Sequence, residues 1–251
     1  MLRRLLATFL AFAAIGLSVQ AVPTTVIVRA VSRDAKVLGD GVGGARITIR
    51  NADDGTVLAT GMQRGETGET KRIMQEPRVR GAVVYGTEKA ASFRATLDLD
   101  RPTRVEVIAE GPLKYPQAMQ RASKTMLLVP GRHIEGEGVL LEIPGFIVDI
   151  VSPATAAAGE PLRVRAKVTM TCGCPTEPGG MWNADNIAVT ARAMRDGRVV
   201  AETTLLFAGE TSTYEAALAP LEPGTYDVEV LASDSVAANF GRAVQRVEIA
   251  R

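Results

Sequence analysis

Pro223-Gly224-Thr225-Tyr226-Asp227-Val228-Glu229-Val230 reads as a turn that passes at once into a strand. Pro and Gly punctuate the turn. Tyr226, Val228 and Val230 then alternate with Thr225, Asp227 and Glu229, the period-two pattern that sends one set of side chains to a core and the other to water. The same period recurs on both sides of this stretch. It predicts strands at Phe146–Val151, Leu162–Met170, Ile187–Met194, Val199–Phe207, Thr211–Leu218, Thr225–Ala232 and Ala243–Ile249. Asp196-Gly197 makes the turn between two of them. Short alternating strands at this spacing predict a β-sandwich.

Upstream, the pattern begins at Thr24, with Val26, Val28 and Ala30 on one face and Ile27, Arg29 and Val31 on the other. The glycine-rich run Gly39–Gly44 lies between strands rather than before a helix, so it is read as a loop and not as a phosphate cradle. Ala45–Arg50 and Thr56–Thr60 flank Asn51-Ala52-Asp53-Asp54-Gly55, a hairpin turn in which Gly55 is free to take positive φ. Further strands are predicted at Ala90–Leu97, Arg104–Ala109, Lys124–Val129 and Gly138–Glu142. Arg64–Gly86 reads as a long charged connection with one weak strand at Val79–Tyr85, and Leu113–Arg121 as a short helix or a loop. Ile143-Pro144-Gly145 is the expected boundary, dividing the chain into units 22–144 and 145–251. The fold class is therefore all-β, two antiparallel β-sandwich domains in tandem after an N-terminal signal peptide.

The stretch Pro223–Val230 resembles the penultimate strand of bacterial immunoglobulin-like domains, with Tyr226 at the tyrosine-corner position, where a buried phenol bonds nearby backbone. That resemblance covers roughly Phe146–Arg251 and lacks the inter-sheet disulfide of antibody domains. Gly43–Ile49 together with Asp54–Gly61 is similar to carboxypeptidase regulatory-like, or transthyretin-like, modules. The name of those modules denotes a recurrent fold unit, not a peptidase activity, and neither resemblance identifies a reaction.

The expected signal peptide occupies residues 1–21. Arg3 and Arg4 open it, Leu5–Leu17 is its apolar run, and Val19-Gln20-Ala21 is the cleavage site. An uncleaved membrane anchor is the alternative. No later stretch approaches transmembrane length, so the mature chain is expected to be soluble and periplasmic or secreted. With 29 basic and 28 acidic residues in the whole sequence, the chain is close to neutral and argues against nucleic acid as a partner. Aromatics make up only 4% of residues, which weighs against a sugar-binding module.

The two cysteines, Cys172 and Cys174, stand one residue apart in a loop, Thr171–Asn186, that also holds the only tryptophan, Trp182. In an immunoglobulin-like topology this is the B–C loop. It clusters with the F–G loop, Ser233–Gly241, which carries Asp234, Asn239 and Phe240. Strand A starts where strand B ends, so the cysteines are expected at the exposed end of the sandwich that adjoins the first domain. Three readings of the pair stay open. As thiolates they suit Cu(I), with Met170 and Met181 as further ligands and His133, Met119 or Met126 reaching across the junction. As a small-ring disulfide, bent at Gly173, they form a loop clip or a redox pair. As free thiols they carry a group or join a partner. Trp182 reads as a loop anchor ahead of a ligand-stacking platform, and Asp185 and Asp234 as turn residues ahead of Ca²⁺ ligands.

His133 is the only histidine and lies in a turn, and the sequence holds no hydrolase, zinc-protease or phosphate-loop motif. Enzymatic activity is therefore not the expected role. The favoured reading is an exported binding or accessory protein of the cell envelope. It would use the Cys172-Gly173-Cys174 loop, with Trp182, Asp185, Asn239 and Phe240, to contact another envelope protein. Copper delivery and thiol redox are the alternatives.

Overall fold

The computed structural model describes residues 20–152 and 154–251. All but the last two residues of the expected signal peptide lie outside this range.

Seven strands build the first sandwich: β1 (Val22–Ser32), β2 (Ala45–Asn51), β3 (Val57–Gln63), β4 (Phe93–Leu99), β5 (Thr103–Gly111), β6 (Gln120–Leu128) and β7 (Ile134–Ile143). They form two sheets, ordered β4-β1-β7 and β3-β2-β5-β6. Their facing sides supply Val26, Val28, Ile47, Ile49, Val105 and Val107, all buried. One pairing departs from the antiparallel expectation: β1 runs parallel to β7.

The sequence puts Val26, Val28 and Ala30 on one face of β1 and Ile27, Arg29 and Val31 on the other, and both faces are covered. The segment 64–92 is the cause. No strand forms at Val79–Tyr85. This connection lies instead over the outer face of β1, where Ile73, Tyr85 and Ala91 pack with Val31 and Val37 in a second small core. Arg29, 5% exposed, is held in that layer through Nη1, which donates to the backbone oxygens of Gly136 and Glu137 at 2.7 and 2.6 Å. Glu137 Oε2 in turn accepts from the backbone N–H groups of Val84 and Tyr85, both at 2.9 Å. Gln63 is fully buried at the end of β3. It exchanges bonds with the Ala30 backbone and donates to Leu38 O at 2.8 Å, satisfying groups that no neighbouring strand reaches.

Eight strands build the second sandwich: β8 (Phe146–Ile150), β9 (Thr155–Ala157), β10 (Leu162–Met170), β11 (Ala188–Arg195), β12 (Arg198–Phe207), β13 (Thr213–Leu218), β14 (Gly224–Asp234) and β15 (Asn239–Ala250). β8, β10 and β13 make one sheet, and β12, β11, β14, β15 and β9 the other. β12 belongs to both, because it pairs with β11 along most of its length and with β13 at Leu206 and Phe207. This is the A-B-E and C′-C-F-G arrangement of an immunoglobulin-like sandwich, with an extra short strand parallel to the last one. Tyr226 makes its corner: the buried phenol donates to Glu222 O at 2.8 Å.

Only Pro144 and Gly145 separate β7 from β8. The two cores interlock across this short link. Ile147 of β8 packs into the first core, and Ala35, from the turn after β1, packs into the second. Gly145 takes φ +114, and a Cβ there would stand 2.8 Å from Phe240 O, so glycine is required at the crossing.

Candidate binding site at the junction of the sandwiches

The site is assembled from three turns: the one after β1, the loop after β10, and the β14–β15 turn. In the first, Ser32-Arg33-Asp34-Ala35 reverses the chain with Asp34 at φ +53, a conformation that Asp tolerates better than most residues. Arg33 N–H donates to Ile143 O at 3.0 Å, tying this turn to the end of β7.

The second turn begins at Thr171, which is fully buried. Its hydroxyl lies 2.7 Å from Ser32 Oγ and 3.2 Å from Ile143 O. With one proton to give, it donates to the carbonyl and accepts from the serine. The chain then curls back on β10: Gly173 N–H donates to Met170 O at 2.7 Å, and Met170 N–H to Cys174 O at 3.0 Å. The curl brings the Cα atoms of Cys172 and Cys174 to 5.5 Å, and the two residues are joined in a disulfide.

The sulfur pair lies at the interdomain end, but it is not at an exposed tip. Cys172 and Cys174 are 3% and 5% exposed. Gly173, at φ +79, sits against the first sandwich so closely that a Cβ would be 2.9 Å from Val42 Cγ1. Gly and Pro around the cysteines signal a turn. They do not reveal that the Asp40–Val42 turn of the other sandwich covers it.

The expected copper ligands are dispersed. Met170 is buried in the second core and Met181 is exposed. His133 and Met126 lie at the opposite end of the first sandwich, where His133 Nδ1 accepts from Thr25 N–H at 3.0 Å and Met126 pairs with Val105. With both sulfurs bonded to each other, no thiolate faces a metal, and the residues as they stand do not fit Cu(I). Among the described residues, no three His, Cys, Asp or Glu side chains converge on one point.

Beyond the disulfide, the loop turns through Trp182. Its indole Nε1–H donates to Asp34 O at 2.9 Å, and its ring packs against the second core. Asn183 Oδ1 accepts from Gly179 and Asp185 N–H, so Asp185 is part of a turn. The third turn is shorter than the expected Ser233–Gly241 loop, because β14 runs to Asp234 and β15 starts at Asn239. Asp234 Oδ1 caps it, accepting from Val236 and Ala237 N–H at 3.0 Å each. Asn239 is thereby a buried strand residue, 1% exposed, rather than a presented loop residue. Its Oδ1 accepts from Gly145 N–H at 2.7 Å and its Nδ2 reaches Arg33 O at 3.5 Å. Phe240, next in the strand, faces the other way and is exposed beside the Pro116–Ala118 turn.

These three turns enclose a cavity of about 80 Å³. The buried Phe146, Met170 and Ile187 form its floor, and Trp182 and Met181 line it further out. Asp34 from the first sandwich and Asp234 from the second stand at its edge. Partial burial raises the Asp34 carboxyl above the usual aspartate range, and the charges of Asp234 and Glu142 raise it further, against a smaller opposing effect of Arg78. Among the described residues, the Asp34 carboxylate has no hydrogen-bond or ion-pair partner. Sequence reasoning did not single out Asp34, Ser32 or Val42. The only signal they gave was of turns between apolar runs.

No protein-family model matches the chain, and no curated protein matches it. Among solved structures it is similar to an engineered protein, at 22% identity and a TM-score of 0.32, over 49% of this chain and 24% of that one. It is also similar to fibronectin(III)-like modules of CbhA from Clostridium thermocellum, at 12% identity and a TM-score of 0.29, over 90% and 93% of the two chains. The titin domains z1z2, solved in complex with telethonin, match at 12% identity and a TM-score of 0.25, over 92% and 98%. At these TM-scores the likenesses carry no argument, and the immunoglobulin-like description rests on the strand order. Among the described residues, no helix is long and apolar enough to cross a membrane.

Proposed function

We propose that this chain is an exported, non-enzymatic binding or accessory protein of the cell envelope, built of two modules, 22–144 and 145–251, that act as one stiff unit. The observation that carries this reading is the interlocked junction: Ile147 and Ala35 each pack into the other sandwich's core, and Thr171 and Trp182 bond across. A rigid scaffold that holds turns in place is how β modules gain specificity. The partner-facing surface is the rim of the junction, where Met181, Asp185 and Phe240 are exposed and Trp182 is half-buried. The disulfide serves as an internal brace of this rim.

The reading is tested in the producing cell. A photo-crosslinking residue is placed at Met181 or Phe240, and as controls at Val57 or Leu127 at the far end. A discrete crosslinked species from the junction positions alone, with the protein recovered from the envelope fraction with its mature start at Val22, supports the reading. Retention in the cytoplasm, or crosslinks indifferent to position, overturns it.

A further inference from the structure

We propose that the junction cavity receives a basic side chain from a partner polypeptide, its alkyl stem on the apolar floor and its cationic head between Asp34 and Asp234. The proposal rests on the binding role given above and names the chemistry of the group bound.

Three observations converge on it. The first is volume. About 80 Å³ corresponds to roughly three waters at their share of liquid volume, room for the outer part of a lysine or arginine side chain. The second is the lining. Phe146, Met170 and Ile187 offer no side-chain hydrogen bonds, and the Trp182 indole has its N–H committed to Asp34 O, so this part of the wall suits methylene groups and an aromatic face suits a cation. Asn183, Asn186 and Asn239 make up much of the rest, and the side-chain oxygens of Asn183 and Asn239 are already committed to backbone N–H groups. The third is charge complementarity. Two carboxylates from different sandwiches stand at the same opening, and the one on Asp34 is without a cation of its own among the described residues. An anionic group entering there would meet the repulsion of two carboxylates. A cation on an alkyl stem meets apolar side chains at the floor and carboxylates at the opening.

Trp182 is the only tryptophan, so its fluorescence reports on this cavity alone. The intact mature protein is titrated with n-butylammonium, with n-propylguanidinium and with n-butanol. The variants are Asp34→Asn and the double variant Asp34→Asn/Asp234→Asn. Asparagine tolerates the positive φ at position 34, and at 234 its side-chain oxygen can still cap the turn, so both variants keep the fold; near-ultraviolet circular dichroism verifies this. The expected result is a saturable change with one or both cations and none with butanol. The double variant should weaken cation binding by about tenfold or more, the scale of lost charge-assisted hydrogen bonds. The stronger of the two cations identifies a lysine-type or an arginine-type group. No saturable response, an equal response to butanol, or unchanged affinity in the double variant overturns the proposal. Junction-specific crosslinking would survive that outcome, which separates failure of this inference from failure of the binding role.

Discussion

Trp182 Nε1–H donates to the backbone oxygen of Asp34 at 2.9 Å, and the two residues belong to different sandwiches. The bond joins a loop of the second sandwich to a turn of the first. It makes the junction a built interface rather than a linker, and the effects of mutations there follow from it.

Trp182→Phe keeps an aromatic ring but removes the donor. The expected loss is about 1 kcal/mol, the usual net worth of one neutral hydrogen bond. Chemical denaturation should show a lower midpoint. A variant as stable as the parent would mean the bond contributes nothing to the junction.

Thr171→Val preserves shape and removes the hydroxyl that Ser32 and Ile143 share. Ser32 is buried, so its hydroxyl is left without this partner, and the cost is expected at about 1–3 kcal/mol. Thr171→Ser, which keeps the hydroxyl, should lose less of this term. Urea unfolding of the two variants gives the comparison, and equal losses would place the effect in packing instead.

The disulfide closes a loop of only three residues, so chain entropy assigns it about 1.5 kcal/mol, the low end of the range. Cys172→Ala/Cys174→Ala should therefore fold, with stability lowered by roughly that amount. Because both sulfurs are buried, dithiothreitol should reduce the native protein slowly and the urea-unfolded protein rapidly. Equal reduction rates in the two states would contradict the packing of Gly173 on Val42.

The folded Asp34 carboxyl has its pKa raised, chiefly by burial and then by Asp234 and Glu142. Between its unfolded and folded values the native state binds more protons than the unfolded state, so this group's contribution to stability falls as pH rises. At neutral pH the charged carboxylate is a net cost. Asp34→Asn should therefore raise stability at pH 7, and the gain should shrink as pH falls through the ordinary aspartate range. Thermal midpoints of parent and variant across this range test the sign. A gain that grows on acidification would refute it.

The fold was legible where one strand's own alternation suffices. Val164, Ala166 and Val168 face one core, and Tyr226, Val228 and Val230 the same core from the other sheet, as the period requires. The connection 64–92 was not legible. Ile73 and Tyr85 are anchored on the outer face of β1, and nothing local in their neighbourhood says so. The candidate site was legible in part. Strand direction placed the cysteine loop at the interdomain end, but its burial depends on Val42, over a hundred residues earlier in the chain. Asn239 and Phe240 carried the same loop signal and came out opposite, because β15 starts at Asn239, four residues before the expected strand at Ala243, and its alternation then buries one and exposes the other.

The amino-acid pattern alone determined the all-β class, the strand periods of the second sandwich and the corner at Tyr226, because period-two burial and turn chemistry act over a few neighbouring residues. Tertiary structure decided the rest: the disulfide is covered, the two cores share Ile147 and Ala35, and Asp34 faces Asp234 beside Trp182. Those outcomes depend on which surfaces meet when two finished sandwiches pack with only two residues between them, and contacts between distant segments leave no period in the chain to read.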